Sequence, residues 1–327
     1  MIRVGINGFG RIGRLALRIS QLPEYKNDIH IVAINSRASV ESHALLLKHD
    51  STYGTFSGDV AVQNNALIVN GQSIAISQVD DPALIPWAGV DVVLECTGKF
   101  TKKEQAEAHL HNEVKKVIIS APGKNCGLYV MGVNHETYNG DKVLSCASCT
   151  TNCLAPVAAV LEREFGIEKG FMTTVHAITN DQNIIDNSHK KDLRRARTAS
   201  LNIIPTSTGA AEAVGKVLPS VAGKLTGIAM RVPVAAVSVV DLVCTLKMKV
   251  TKDEINAAFL RNVNKYLGVT DQPLVSSDFI GEKHSAVVDL LSTAVIGENL
   301  VKIIAWYDNE YAYANRLVDL ALYAGKR

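Results

Sequence analysis

Apolar and polar positions in the first third of the chain alternate with two different periods. Apolar runs at residues 2–7 and 29–35 predict strands, whereas residues 14–22 place leucine and isoleucine at helical spacing. A glycine-rich turn at residues 8–13 separates the first strand from this helix. A strand, a turn, a helix and a second strand within about 35 residues predict a βαβ unit.

The same alternation continues as far as residue 148. Residues 91–96 and 116–120 predict buried strands, and residues 101–112 predict a helix. Thr101 is the expected cap of this helix, with Glu104 three residues later. Apolar strands that alternate with helices favour a parallel sheet covered on both faces.

The pattern changes at residue 149. A helix is predicted at residues 150–165, and another is predicted at residues 311–323. Between them, long apolar runs predict strands that lie far apart in the sequence, at residues 171–178, 227–232, 237–250 and 301–307. This spacing favours a second domain with a mixed or antiparallel sheet.

Composition narrows the class of protein. The chain has 327 residues, of which 47% are hydrophobic and 20% are charged, and its formal net charge is +2. No apolar run reaches the roughly 18 residues that a membrane span needs, and the first residues lack the pattern of a secretory leader. We therefore expect a cytoplasmic protein with no nucleic-acid or membrane partner. Its six scattered cysteines do not suggest a disulfide scaffold.

The glycine-rich turn predicts a dinucleotide site. Gly8 permits a tight turn, Gly10 lets a pyrophosphate approach the backbone, and Gly13 lets the helix pack closely on the strand. The pyrophosphate is then expected at the helix N-terminus, where free N–H groups favour an anion. The alternative is a tight turn whose glycines are incidental.

The second predicted strand ends at Asn35, Ser36 and Arg37, without the acid that usually binds the ribose 2′-hydroxyl of NAD. Ser36 would not repel a 2′-phosphate, and Arg37 could pair with it. This arrangement favours NADP. The alternative is that Arg37 faces solvent and the site is a weaker NAD site.

Three interpretations compete for the cysteine cluster at residues 146–153. Cys146, Cys149 and Cys153 could bind zinc together with His176, although the usual second pair of ligands is missing. Cys146 and Cys149 have the spacing of a dithiol redox pair. Alternatively, Cys149 is a nucleophile at a helix N-terminus, which would lower its pKa, and His176 is its base.

Several motifs, in order along the whole chain, closely resemble glyceraldehyde-3-phosphate dehydrogenases. They are Asn-Gly-Phe-Gly-Arg-Ile-Gly-Arg at residues 7–14, Ser-Cys-Thr-Thr-Asn-Cys at 148–153, His-Ala-Ile-Thr-Asn-Asp-Gln at 176–182, Thr-Gly-Ala-Ala at 208–211, Arg-Val-Pro at 231–233 and Trp-Tyr-Asp-Asn-Glu at 306–310. The resemblance implies a homotetramer that oxidises glyceraldehyde 3-phosphate with phosphate uptake, giving 1,3-bisphosphoglycerate through a thiohemiacetal and a thioester.

The resemblance also implies roles for individual residues, and it implies no metal. Catalysis falls to Cys149 as the nucleophile and to His176 as the base. The implied substrate- and phosphate-binding residues are Ser148, Thr150, Thr179, Arg195, Thr208, Gly209 and Arg231. The predicted cofactor-binding residues, which include those of the glycine turn, are Asn7, Gly8, Gly10, Arg11, Ile12, Gly13, Asn35, Ser36, Arg37, Thr97, Gly98, Ser120, Asn180, Ser188, Asn309 and Tyr313.

Combining these patterns, we predict an α/β fold with two domains. Residues 1–148 are expected to form a Rossmann-type, parallel-sheet domain that binds NAD(P). Residues 149–310 are expected to form an α+β catalytic and tetramerisation domain with a mostly antiparallel sheet. The C-terminal helix, residues 311–327, is expected to pack back on the first domain.

The chain departs from the family pattern at a few positions. Ser36 replaces the usual acid and Ser188 replaces a proline, as in the NADP-accepting branch, whereas Asp80 would oppose a 2′-phosphate. We therefore predict use of both NAD and NADP, leaning to NADP. Cys146 replaces an asparagine, so a reversible disulfide with Cys149 is one hypothesis and a small buried side chain is the other. One lysine is inserted at residues 190–191.

The sequence leaves two alternative functions to compare with this one. Erythrose-4-phosphate dehydrogenases share the nucleophile but tend to lose the pattern at Thr179, Thr208 and Gly209, all of which are retained here. A nucleic-acid-binding or surface-adhesion role would need a basic stripe with stacking aromatic residues, and none is visible.

Overall fold

The computed structural model describes residues 1–190 and 192–327, so the predicted lysine insertion lies partly outside the described residues. The described chain divides into two compact units. The first unit comprises Met1–Met131, His135–Ser148 and Tyr313–Arg327, and the second comprises Gly132–Asn134 and Cys149–Ala312. None of the described helices is long and apolar enough to cross a bilayer.

The first unit is built on short strands and helices that alternate along the chain. In order they are β1 (Ile2–Asn7), α1 (Arg11–Ser20), β2 (Ile29–Asn35), α2 (Val40–Lys48), β3 (His49–Asp50), β4 (Gly54–Thr55), β5 (Val60–Gln63), β6 (Ala66–Val69), β7 (Gln72–Ser77), β8 (Val92–Glu95), α3 (Lys103–Ala106), β9 (Lys116–Ile119), β10 (Gly127–Leu128) and β11 (Val143–Ser145).

Within the described residues, nine of these strands form one sheet in the order β10-β11-β9-β8-β1-β2-β7-β6-β5. The strands from β10 to β7 pair in parallel, and β5 and β6 extend the edge as antiparallel strands. The register places Asn7 beside both Asn35 and Glu95, at the carboxyl ends of three central strands. Parallel sheets bind ligands at this edge. The predicted parallel sheet is confirmed.

The second unit begins with a long helix and continues mainly as strands. Its elements are α4 (Cys149–Phe165), β12 (Ile167–His176), β13 (Ile204–Ser207), α5 (Ala210–Val217), β14 (Leu225–Arg231), β15 (Ser238–Leu246), α6 (Lys252–Arg261), β16 (Leu267–Thr270), β17 (Ala286–Asp289), β18 (Ala294–Ile296) and β19 (Leu300–Tyr307). The last helix, α7 (Tyr311–Gly325), belongs to the first unit from Tyr313 onwards.

The described strands of the second unit form a sheet in the order β13-β14-β12-β15-β19-β17-β16, with β18 paired to β19. Most pairings are antiparallel, but β12 pairs with β14 and β16 pairs with β17 in parallel. The mostly antiparallel sheet predicted here is confirmed. The parallel pair of β12 and β14 places His176 directly beside Arg231.

One predicted helix is wrong in its length and in its cap. The segment at residues 101–112 holds only the four residues of α3, capped by Lys102 rather than Thr101, and then a single 3₁₀ turn that ends at His109. His109 is buried, and its Nε2 lies 3.1 Å from a carboxylate oxygen of Glu95. This tertiary contact, rather than helical periodicity, fixes the position of the imidazole.

Candidate active site

Cys149 is the first residue of α4 and follows a constrained turn. Ala147 adopts a φ of 58°, which residues with side chains rarely take up. The hydroxyl of Ser145 accepts the N–H of Ala147 at 3.0 Å, and the hydroxyl of Tyr313 donates to the Ala147 carbonyl at 2.9 Å. These contacts hold the chain immediately before the helix that carries the cysteine.

His176 lies within reach of the Cys149 thiol. Its Nε2 is 3.4 Å from Sγ, and the imidazole is buried at the end of β12. Nδ1 lies 2.7 Å from the carbonyl oxygen of Ala177, and the tautomer that donates to this carbonyl has the lone pair of Nε2 facing the sulfur. The pair therefore has the geometry of a nucleophile and its base.

Arg231 contacts the other side of the same imidazole. Its Nη1 lies 2.6 Å from Nδ1 of His176 and donates to the carbonyl of Ala177 at 3.2 Å. Because a guanidinium can only donate, its contact with Nδ1 is a hydrogen bond in the tautomer that carries the proton on Nε2. The side chain is mostly enclosed, so its positive charge acts on the imidazole and on the thiol with little screening by water.

Burial and this charge set the ionisation of the pair. Burial, followed by the charge of Arg231, lowers the pKa of His176 to about 3. Burial raises the pKa of the Cys149 thiol, while the charge of Arg231 and hydrogen bonds from Thr150 act in the opposite direction. The predicted lowering of the thiol pKa is therefore wrong for this structure, because desolvation outweighs the helix terminus. Both groups are neutral until the proton moves from sulfur to nitrogen.

Tyr307 supports the first turn of α4, a role that the sequence analysis missed. Its hydroxyl lies 2.9 Å from Oγ1 of Thr150 and 2.8 Å from Oγ1 of Thr174. Its ring packs edge-on against His176, with the ring centres 6.1 Å apart. The Thr150 hydroxyl, a predicted phosphate ligand, is therefore directed at Tyr307. The only signal of this role in the sequence is that a tyrosine ends an apolar strand.

Arg195, another predicted anion-binding residue, has a side chain that is only 16% exposed. Its guanidinium forms an ion pair with Asp181, and its Nε donates to Oγ1 of Thr206 at 2.7 Å. The charge of Arg195 lowers the pKa of Arg231, and the charge of Asp181 raises it. The two arginines therefore belong to one electrostatic group, which Asp181 partly neutralises.

The N-terminus of α5 offers a second place for an anion. Gly209 is its cap, and no described atom lies within 4 Å of the position that a Cβ of Gly209 would occupy. The hydroxyl of Thr208 accepts the N–H of Ala210 at 3.2 Å. Open space beside free N–H groups at a helix N-terminus suits phosphate.

Four further predicted residues precede α4 or follow β12. Ser148 directly precedes the nucleophile and is half-buried. Thr179 follows β12, and its N–H donates to Oε1 of Gln182 at 3.1 Å. Asn180 and Ser188 are exposed in the loop beyond it. The structure thus places Cys149 and Arg231 in contact with the same imidazole, that of His176, and Thr150 beside Cys149. It leaves Asn180 and Ser188 at the surface.

The glycine turn has the shape that a dinucleotide requires. Gly8 has a φ of 94°, and its N–H donates to the carbonyl of Asn35 at 2.8 Å. A Cβ on Gly13 would lie 2.4 Å from the carbonyl oxygen of Gly8, whereas a Cβ on Gly10 would meet no described atom within 4 Å. Gly10 also caps α1 without a side chain. The open space and the free N–H groups fit a pyrophosphate.

A buried polar network lies beneath this turn. The Glu95 carboxylate accepts hydrogen bonds from Nδ2 of Asn7 at 2.6 Å and from the N–H of Thr97 at 2.8 Å, and it also accepts the Thr97 hydroxyl. Nδ2 of Asn35 donates to Oδ1 of Asn7 at 2.8 Å. Sequence reasoning missed Glu95 and His109, although an acid that ends an apolar strand was a visible signal.

The other predicted cofactor residues of the first unit lie around this edge. Arg11 opens α1, and its Nη1 is 2.5 Å from a carboxylate oxygen of Asp50. Ile12 follows it in the same turn. Gly98 has a φ of 70°, and the N–H of Ser120 donates to the carbonyl of Glu95 at 3.0 Å.

Arg37 is paired with a carboxylate in this structure. Its Nε donates to Oδ1 of Asp80 at 2.9 Å, and its Nη2 lies 2.7 Å from the same oxygen. The two side chains are 72% and 77% exposed. The N–H of Ser36 donates to the carbonyl of Ser77 at 2.9 Å. The two opposing charges weighed in the sequence analysis are therefore each other's partners.

The described residues contain no group of three or more histidine, cysteine or acidic side chains that could hold a metal ion. The zinc interpretation of Cys146, Cys149, Cys153 and His176 therefore has no support in this part of the chain. No disulfide joins any of the six cysteines in the described structure.

Comparisons with known proteins agree with this geometry. Residues 2–103 match the family model "Glyceraldehyde 3-phosphate dehydrogenase, NAD binding domain", and residues 148–309 match "Glyceraldehyde 3-phosphate dehydrogenase, C-terminal domain". Glyceraldehyde-3-phosphate dehydrogenase 1 of Bacillus cereus is 51% identical, over 99% of this chain and 98% of its own length. The dehydrogenases of Clostridium acetobutylicum and Geobacillus stearothermophilus are 50% and 51% identical, over 100% of this chain and 99% of their lengths. The chain therefore belongs to the glyceraldehyde-3-phosphate dehydrogenase family.

Proposed function

We propose that this protein oxidises glyceraldehyde 3-phosphate, takes up inorganic phosphate and releases 1,3-bisphosphoglycerate with reduced nicotinamide dinucleotide. The observation that carries this proposal is the contact of 3.4 Å between the Cys149 thiol and Nε2 of His176, with Arg231 beside the imidazole. The glycine turn, which fits a pyrophosphate, supplies the second requirement.

In the first step, Sγ of Cys149 adds to the aldehyde carbon, and its proton passes through Nε2 of His176 to the carbonyl oxygen. This gives a neutral thiohemiacetal. His176 then takes the proton of that hydroxyl as the C–H bond breaks, and a thioester forms on Cys149. The bound nicotinamide supplies the acceptor for the hydride.

In the last step, phosphate attacks the thioester carbon and the bond to Cys149 breaks. The departing sulfur recovers a proton from His176, which restores the neutral pair. Arg231, Arg195 and the N-terminus of α5 are the proposed sites for the two anions, because guanidiniums and free N–H groups both donate to phosphate oxygens.

Steady-state assays with glyceraldehyde 3-phosphate and with erythrose 4-phosphate, each with and without phosphate, test this proposal. We expect a higher kcat/KM for the triose and a rate that depends on phosphate. A preference for erythrose 4-phosphate, or oxidation that is indifferent to phosphate, would contradict it.

We also propose that the protein accepts both NAD and NADP and prefers NADP. Ser36 brings no charge to the ribose end of the site, and the pair of Arg37 and Asp80 is largely exposed to solvent. Exposed ion pairs contribute about 0–1 kcal/mol, so a 2′-phosphate can recruit Arg37 at little expense.

The cofactor proposal is tested by the ratio of kcat/KM with NADP to kcat/KM with NAD. Asp80→Asn is expected to raise this ratio, because it frees Arg37 and removes a repelling charge. Ser36→Asp is expected to lower the ratio. Asp59→Asn, which removes an exposed acid between β4 and β5, is the control and is expected to leave the ratio unchanged. An unchanged ratio in both variants would show that neither position selects the cofactor.

A homotetramer is the third part of the proposal. The described loop between β12 and β13 exposes large apolar side chains, at Ile184, Ile185, Leu193, Leu201 and Ile203. Ile184 alone is 84% exposed. Large exposed apolar patches mark protein interfaces, and the resemblance to the family implies four copies.

A further inference from the structure

Val237, the residue before β15, has a strained backbone. Its φ of 70° lies in the left-handed region, which a β-branched side chain disfavours strongly. The side chain is buried against Phe279 and Val287, with Trp306 packed beside them. Strain of this kind persists only where the surrounding structure enforces it, and it clusters at functional sites.

The next residue, Ser238, uses its buried hydroxyl in two directions. Its Oγ accepts the N–H of Ala177 at 3.0 Å and donates to Oδ1 of Asn309 at 3.1 Å. The carbonyl oxygen of Ala177 also lies 2.7 Å from Nδ1 of His176. One hydroxyl therefore joins the strand end that carries the base to the residue that the resemblance assigns to the nicotinamide carboxamide.

The direction of the second hydrogen bond fixes the Asn309 amide. Because Oδ1 accepts from Ser238, the amide presents Nδ2 as its other polar group. Nδ2 is a donor, and the oxygen of a carboxamide is an acceptor. A rotated amide would face Ser238 with its nitrogen and would lose this match.

We propose that Ser238 is a positioning residue that orients Asn309 toward the nicotinamide. Its hydroxyl also connects Asn309 to Ala177, next to His176. The strained backbone of Val237 places the Ser238 hydroxyl between these two partners. This inference rests on the proposed function, because it assumes that a nicotinamide binds.

The test compares the binding of two probes, NAD⁺ and ADP-ribose, by isothermal titration calorimetry. ADP-ribose lacks the nicotinamide and keeps the rest of the dinucleotide. In Ser238→Ala we expect NAD⁺ to bind about two- to tenfold more weakly, which is the range for the loss of one hydrogen bond. ADP-ribose is expected to bind as before. A residue that acted only on the fold would change both affinities.

A second variant keeps the test independent of packing at Ser238. Asn309→Asp retains the acceptor for Ser238 and replaces the donating Nδ2, so it is expected to reduce the ratio of NAD⁺ to ADP-ribose affinity. Adding Ser238→Ala to it is expected to lower the ratio no further. Thr293→Val is the matched control, because that buried hydroxyl has no hydrogen-bond partner among the described residues.

Equal weakening of both probes by Ser238→Ala, an unchanged ratio, or a further independent loss in the double variant overturns the proposal. These outcomes differ from a failure of the proposed function. In that case the unsubstituted protein itself would lack phosphate-dependent oxidation of glyceraldehyde 3-phosphate.

Discussion

His176 combines a short contact to the nucleophile with a strongly lowered pKa. A pKa of about 3 means that the imidazole is neutral, and able to accept a proton, at every pH at which the protein is ordinarily studied. The titration that controls reactivity is then that of Cys149, whose thiolate fraction increases as pH rises toward its raised pKa.

We therefore predict that His176→Asn lowers kcat/KM for glyceraldehyde 3-phosphate by roughly 10²- to 10⁴-fold, the range for loss of a general base. The midpoint of the rise of kcat/KM with pH is expected to stay in place, because it belongs to the thiol. Steady-state rates from neutral to alkaline pH measure both quantities. A midpoint that shifts or vanishes in the variant would show that His176 titrates in this range.

At the scale of elements, different glycines in the turn between β1 and α1 serve cofactor binding and folding. Gly10 has an ordinary φ of −82° and open space where a Cβ would stand, whereas a Cβ on Gly13 would collide with the carbonyl of Gly8. Both residues belong to the same motif, but only Gly13 is needed by the protein's own packing.

Gly10→Ala is accordingly expected to leave the free energy of unfolding within about 0.5 kcal/mol and to weaken NAD⁺ binding, because the new methyl group lies where the pyrophosphate approaches. Gly13→Ala is expected to destabilise the fold by roughly 1–3 kcal/mol. Urea unfolding and calorimetric titration of both variants give the comparison. Equal effects on binding and on stability in the two variants would contradict this assignment.

His43 in α2 makes the first unit sensitive to acid. The side chain is buried, neither ring nitrogen has a hydrogen-bond partner in the described part of the chain, and its ring packs edge-on against Phe9. Burial, followed by the charge of Arg14, lowers its pKa. The unfolded chain therefore binds the proton more readily than the folded chain does.

Stability is then lost as pH falls below the unfolded value of 6.5, by up to about 1.4 kcal/mol per pH unit for one proton. His43→Leu is expected to reduce this slope, and His49→Gln, at an exposed position, is expected to keep it. Urea unfolding at neutral and mildly acidic pH measures the slope. If His43→Leu and the unsubstituted protein lose stability equally, another group is responsible.

Local patterns in the sequence predict some elements well and others poorly. The strands β1 and β2 and the helix between them follow from apolar spacing over a few residues. The strands β5 and β6 have four residues each, which is too short to establish a period, and β5 is also largely exposed. The helix predicted at residues 101–112 fails because a buried contact from His109 to Glu95 decides the local geometry.

The same distinction applies to the candidate site. Cys149, His176 and the glycine turn have motifs, so the sequence predicts them. Ser238 and Tyr307 act through contacts with residues more than 60 positions away, such as Ala177 and Thr150. No short pattern encodes a contact of that separation. The direction of the Cys149 pKa shift fails for a related reason, because burial is a property of the folded chain.

For the whole molecule, the proposed tetramer places the loop between β12 and β13 in an interface. Ile184→Glu puts a charge on the most exposed apolar side chain of that loop and is expected to lower the mass in solution from that of four copies. Light scattering after size-exclusion chromatography measures this mass. Leu84→Glu, at an exposed apolar residue of the first unit, is the control. A single-chain mass for the unsubstituted protein would contradict the tetramer.

The proposed reaction passes through a thioester on Cys149 that phosphate cleaves. Rapid mixing with NAD(P)⁺ and glyceraldehyde 3-phosphate in the absence of phosphate, followed by acid quench and peptide mass spectrometry, tests it most directly. We predict a burst of reduced cofactor that matches the concentration of sites, with one acyl group on the peptide that carries Cys149. Added phosphate is expected to release that group. Steady oxidation without phosphate and without an acyl adduct on Cys149 would contradict the account.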